Sequence, residues 1–130
     1  MGWTIYDRSM TREEALAELR RLHDWTDGDG TRYKVLEDAI VGEGYYAAVQ
    51  VEEPSKPVRT FCAVCLITLR PFGYKGMADS WGPNIDRAPR AVLEKLSPLR
   101  PDDKYAAEWR ARAWAHHGGE PQGRQVELAL

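Results

Sequence analysis

Cys62 and Cys65 stand three positions apart in the run Phe61-Cys62-Ala63-Val64-Cys65-Leu66, formally the C-x-x-C spacing of a zinc or dithiol site. Either chemistry needs the two sulfurs to converge, across a tight turn or at the start of a helix, and this run contains no turn residue. On a strand, positions three apart point to opposite faces. The pair therefore reads as two small buried thiols, and the spacing of His116-His117 does not complete a Cys2His2 set. No metal and no cofactor is expected. For nucleophilic catalysis the hydroxyls are Ser9, Ser55, Ser80 and Ser97, with His23 or the tail histidines as base. None lies in a G-x-S-x-G elbow, and His23, on the apolar side of a helix beside Asp24, fits a boundary histidine. The phosphate loops G-x-x-x-x-G-K-[ST] and G-x-G-x-x-G are absent. Asp27-Gly28-Asp29-Gly30 has the start of a calcium loop without its closing glutamate, so it reads as a turn. Asp79 and Asp86 form a further acid pair. An enzyme using Asp79 or His23 as acid–base group is accordingly the third of three readings.

The stretch 70–86, R-P-F-G-Y-K-G-M-A-D-S-W-G-P-N-I-D, carries the other two. Prolines and glycines predict a loop that is neither helix nor ladder, yet it holds aromatic side chains beside cations. A binding surface of Arg70, Phe72, Tyr74, Lys75, Asp79 and Trp81 is expected there, joined by Arg110 and Trp114 from the last helix. Trp, Tyr and Arg are the usual anchors of a protein interface, and the chain has 5 Trp and 6 Tyr. The same mixture suits a single-stranded nucleic acid, with bases stacked on rings and phosphates met by Lys75, Arg100, Lys104, Arg110 and Arg112. Asp102, Asp103 and Glu108 dilute that patch. Aromatics packed as a cover over the core explain the same residues. Trp109 and Trp114 are five apart, so one of them must turn inward.

The elements that would position these groups follow from periodicity. Thr11-Arg12-Glu13-Glu14 has the form of a capping box, and Ala15, Leu16, Leu19, Leu22 and His23 recur at helical spacing, predicting a helix to about Trp25. Trp3 and Ile5 suggest a short strand over 1–7. A strand over 31–41, a hairpin turn at Gly42-Glu43-Gly44 and a strand over 45–52 come next, the last alternating at Tyr45, Ala47, Val49 and Val51. The run 58–69 is apolar on both faces through its middle, as a central strand covered on both sides would be. Pro89 suits the first turn of a short helix ended by Ser97-Pro98. A last helix, capped by Asp102 or Asp103, carries Tyr105, Ala106, Trp109 and Ala113 and stops at Gly118-Gly119. The fold expected is α+β: a mainly antiparallel sheet of about four strands, with helices near the N-terminus and at the C-terminal end. One domain over 1–118 is followed by a tail, 119–130, whose alternating Val126, Leu128 and Leu130 suit an edge strand or the start of a further extension.

With 130 residues, 18 Lys plus Arg, 20 Asp plus Glu and 43% hydrophobic residues, the composition is that of an ordinary globular domain. A net charge of −2 argues against a surface built wholly for nucleic acid. The first seven residues lack a signal peptide's charged start, no run reaches the roughly 20 apolar residues of a membrane span, and two cysteines are too few for a disulfide scaffold. A cytoplasmic protein without membrane contact is expected.

Five phrases belong together: M-G-W at the start, Y-K-V-L-E-D-A-I-V-G-E-G-Y-Y-A-A-V-Q at 33–50, F-G-Y-K-G-M-A-D-S-W-G-P at 72–83, L-E-K-L-S-P at 93–98 and Y-A-A-E-W-R-A-R at 105–112. Together they resemble an uncharacterised family of small bacterial, phage and plasmid-borne proteins marked by an F-G-Y-K-x-M loop phrase. The resemblance implies an accessory role on a mobile genetic element and brings no established activity with it. Family members carry Met-Gly-Pro-Cys where this chain has Ser80-Trp81-Gly82-Pro83-Asn84, which removes any family thiol from this position. The function expected is a non-enzymatic protein that binds a host macromolecule, such as a defence-system component; the alternative is single-stranded nucleic-acid binding.

Overall fold

The computed structural model describes residues 4–75, 78–79, 85–98 and 104–121. Its centre is a pair of long antiparallel strands, β4 (Gly44–Glu52) and β5 (Arg59–Leu69), buried on both faces. Alternation sorts their side chains: Tyr45, Ala47, Val49, Ala63, Cys65 and Ile67 face one way, Tyr46, Ala48, Cys62 and Val64 the other. The thiols therefore lie on opposite faces of β5, both buried, as strand geometry requires.

Each face has its own helical cover. On the first lies α1 (Arg12–His23), which inserts Ala15 and Leu19 among Tyr45, Ala47 and Cys65. Its N-terminus is closed by the expected capping box: the Glu14 amide donates to Thr11 Oγ1 at 3.1 Å, and the Thr11 amide to Glu14 Oε1 at 2.9 Å. On the second face lie α2 (Arg90–Leu93) and α3 (Lys104–Ala115), which bring Val92, Leu93, Ala113 and Trp114 onto Tyr46, Ala48, Cys62 and Val64. Pro89 is the N-cap of α2, and α3 runs out into Gly118 and Gly119 at positive φ.

The remaining strands complete the edges. β3 (Arg32–Val41) joins β4 through a turn in which Gly42 takes φ +59°, a conformation a side chain would resist. β2 (Trp25–Thr26) pairs with the start of β3. The other edge of β5 is covered in pieces: β6 (Phe72–Tyr74) against Ile67–Leu69, β7 (Ala78–Asp79) against Ala63 and Val64, and Ser97, whose hydroxyl accepts from the Thr60 amide at 2.6 Å. β1 (Thr4–Ile5) then pairs with β6.

The expected four-stranded sheet with helices at its ends is thus corrected. The chain is dominated by a curled antiparallel sheet, a half-barrel whose path β1-β6-β5-β4-β3-β2 holds six strands, with β7 beside it and only short helices. Of the two- and three-residue strands only β1, within the expected 1–7, left a signal; β2, β6 and β7 are too short to show alternation. Trp25 and Thr26, read as the helix end, are β2, and α1 stops at His23. Phe72-Gly73-Tyr74, read as loop because of Pro71 and Gly73, is β6. Gly73 fits because a Cβ there would lie 2.6 Å from Ile5 Cδ1 and 3.0 Å from the Thr4 carbonyl oxygen. The strand expected near the C-terminus, at Val126, Leu128 and Leu130, lies outside the described residues.

Leu19→Ala, which empties a fully buried site between α1 and the sheet, is expected to cost about 2–5 kcal/mol in urea unfolding. Thr11→Ala, which removes only the cap, is expected to cost about 0.5–2 kcal/mol.

Candidate functional site

The residues read as a binding surface do not come together. Phe72 and Tyr74 are two apart on β6, so both turn toward the α1 face. Phe72 is 0% exposed, edge-on to the Tyr6 ring with centroids 5.1 Å apart, and Tyr74 is half-buried beside it. Trp114 is buried in the cluster on the opposite face, and the Arg90 guanidinium lies 5.8 Å from its ring centre. Arg110 is buried too: Nε and a terminal nitrogen each donate to Glu120 at 2.8 Å, and the other terminal nitrogen donates to the Ser97 carbonyl at 3.2 Å. It ties α3 to the segment that covers β5. Phe72, Arg110 and Trp114 are therefore inside the fold and present no contact surface, the two rings packed in core clusters and Arg110 hydrogen-bonded within the chain. Arg70, at the β5–β6 turn, and Lys75 are exposed. Asp79 lies in β7 opposite Ala63, and Trp81 lies outside the described residues.

The acid–base candidate His23 does meet reactive groups. Its Nδ1 lies 2.6 Å from the Leu19 carbonyl oxygen, which fixes Nδ1 as the donor, and Nε2 then faces Cys65 Sγ at 3.6 Å as an acceptor for the thiol. The Tyr45 ring packs 5.3 Å from the imidazole, and its hydroxyl donates to Asp38 Oδ2 at 2.9 Å. Asp38 also accepts a bidentate pair from Arg20, at 3.0 and 2.6 Å. The layout resembles a thiol–imidazole dyad, but its electrostatics are opposite to those of a nucleophile. Burial pushes the Cys65 thiol up to about 12 and holds His23 below its ordinary 6.5, so both are neutral. Burial likewise raises Tyr45. Cys65 is 1% and His23 4% exposed, and the shallow surface grooves lined by Ile5, Tyr6, Asp7 and Arg8 and by Ala17, Arg20, Arg21 and Asp24 expose neither. This cluster locks α1 onto the sheet. The other acid, Asp86, meets His116 at 3.2 Å and joins α3 to the start of the α2 segment.

What the surface does offer is a pair the sequence reading passed over. Trp25 on β2 and Tyr33 on β3 are cross-strand partners, and their rings stack with centroids 5.0 Å apart and planes 11° from parallel. Trp25 is 48% exposed. The same row continues through Val51, which is buried, to Arg59. Arg59 stacks on Phe61 at 5.6 Å and lies 3.9 Å from Glu53, which also pairs with Lys56 at 3.2 Å. Around this end lie Asp24, Asp27, Asp29 and Glu52. The 27–31 turn is closed by Asp27 Oδ1, which accepts from the amides of Asp29 and Thr31. The signal that could have found the pair was a tryptophan immediately after an amphipathic helix and immediately before an Asp/Gly turn. There it can neither extend the helix stripe nor reach the core.

No helix among the described residues is long and apolar enough to cross a membrane. No family model, no curated protein and no solved structure matches the chain.

Because the folded state holds His23 below 6.5, the unfolded chain binds that proton more readily, and stability rises with pH wherever this difference operates. The groups facing the imidazole are Asp38, Tyr45 and Cys65, and among these Asp38 opposes the shift without reversing it. Stability is expected to be flat well above His23's ordinary 6.5 and to fall as pH drops through and below it. Chemical unfolding across that range should show the slope, and His23→Leu should flatten it.

Proposed function

We propose that this protein is a non-catalytic protein-binding module whose anchor is the exposed Trp25–Tyr33 stack. The observation that carries this reading is the stack itself. A tryptophan held rigid by a neighbouring ring and left 48% in water is the type of side chain that dominates interface energetics when it is desolvated. Holding it there costs hydrophobic free energy at about 25 cal/mol per Å² of exposed apolar surface, which a partner would recover.

A protein partner is favoured over a nucleic acid by the charges at this end. Asp27 and Asp29 lie in the turn that joins the strands of Trp25 and Tyr33, while Lys56 and Arg59 are already engaged by Glu53. A phosphate backbone would meet uncompensated carboxylates and could release few counterions. Catalysis is disfavoured by the closure of the His23–Cys65 pair, whose sulfur no substrate reaches in this conformation. The mobile-element setting implied by the resemblance makes a host protein the natural partner.

Trp25→Ala is the test. It removes one exposed cross-strand pair, so the unfolding midpoint should move by no more than about 1 kcal/mol. Capture of a stoichiometric, nuclease-resistant bacterial protein by the wild-type chain should fall by roughly 30-fold or more. Equal capture by Trp25→Ala, or a bound species that nuclease removes, would sink the reading.

A further inference from the structure

We infer that the Trp25–Tyr33 stack recognises a cationic side chain, an arginine carried on a segment of the partner protein; the inference rests on the reading of this stack as a partner anchor. Its first support is how the chain treats its other two indoles among the described residues. Trp109 has the Arg112 guanidinium 4.7 Å from its ring centre, and Trp114 has Arg90 at 5.8 Å. Trp25 has Tyr33 stacked on one side, and among the described residues no cation lies over it. One face of the best cation-binding ring among the side chains is thus left open.

The second support is charge complementarity. Asp24 and Asp29 flank the stack in sequence, and neither forms an ion pair among the described residues, whereas Asp38, Glu18, Glu53, Glu94 and Glu120 all do. The nearest basic residues of the same strand, Arg32 and Lys34, alternate with Tyr33 and so project from the opposite face of β3, the face to which Asp24 and Glu52 also alternate; the carboxylate on offer is that of Asp29, in the exposed turn joining the strands of the two rings. A guanidinium laid on the indole would stack on the ring while its N–H groups turn to the Asp29 carboxylate, a combination that planar arginine makes better than lysine. An acidic or phosphorylated segment would be repelled by the same group.

The experiment uses the intact 15N-labelled chain and the Trp25 indole N–H signal, identified by its loss in Trp25→Ala. It is titrated with a short Gly/Ser peptide bearing arginines, with its citrulline and glutamate counterparts, and with an oligothymidylate. The arginine peptide is expected to move the Trp25 signal and to bind roughly 3- to 30-fold more tightly than the citrulline peptide. Asp29→Asn should weaken it and flatten its salt dependence. The inference is overturned if the citrulline, glutamate or thymidylate probe moves Trp25 as strongly, or if the arginine peptide leaves the signal in place. Should that happen while Trp25→Ala still abolishes partner capture, the cation chemistry alone is lost. Should Trp25→Ala capture its partner normally, the anchor itself is lost.

Discussion

The constraint on which the rest depends is that β4 and β5 are apolar on both faces. A strand pair of this kind cannot sit at a protein surface. Each side chain it buries contributes about 1.5–3 kcal/mol, and each face left bare would forfeit that. Two separate helical covers follow, one built before the central pair in sequence and one after it. The first, α1, arrives with its own cap and is fastened by Arg20 to Asp38 and by His23 to the Cys65 sulfur. The second, α2 with α3, is fastened by Arg110, which reaches both Glu120 and the Ser97 carbonyl.

Those fastenings account for most of the residue types that look reactive. A thiol, an imidazole, a phenol and a carboxylate meet in one cluster, yet desolvation keeps the thiol, imidazole and phenol uncharged, and the carboxylate is neutralised by a guanidinium. Burial of such groups is tolerable only when each has a partner; among the described residues the buried side-chain nitrogen or oxygen left without one is the Trp114 indole nitrogen. The proposed anchor sits apart from this cluster, at the end of the sheet where α1 gives way to β2.

Much of the frame was legible in the sequence because it is encoded locally. Thr11 and Glu14 announce a helix start within four residues. Gly42 announces a hairpin. The spacing of Cys62 and Cys65 places them on opposite faces once the run is taken as a strand. The parts that were not legible depend on distant partners. Phe72 and Trp114 look alike in sequence, as aromatics beside arginines, and each finds its place only through a cluster assembled from both halves of the chain. Arg110 reads as a surface cation until Glu120 folds back on it. The strands β2, β6 and β7 are too short to carry a period and exist because a longer neighbour offers them an edge. Trp25 was hidden for the same reason, since its exposure is set by where α1 ends.

The piecemeal covering of β5 bears on how the chain is made. Its outer backbone groups wait for Phe72–Tyr74, then Ala78–Asp79, then Ser97, in that order along the chain. At ribosomal rates of about 5–20 residues per second, the 28 residues between Leu69 and Ser97 take roughly 1.5–6 s to emerge. For that interval the most apolar strand of the protein is synthesised with an unfinished edge. Each short piece closes the stretch nearest the point of emergence first, so the exposed ladder shrinks toward Thr60 as synthesis proceeds. An edge closed in instalments gives a nascent neighbour on the same polysome progressively less to pair with.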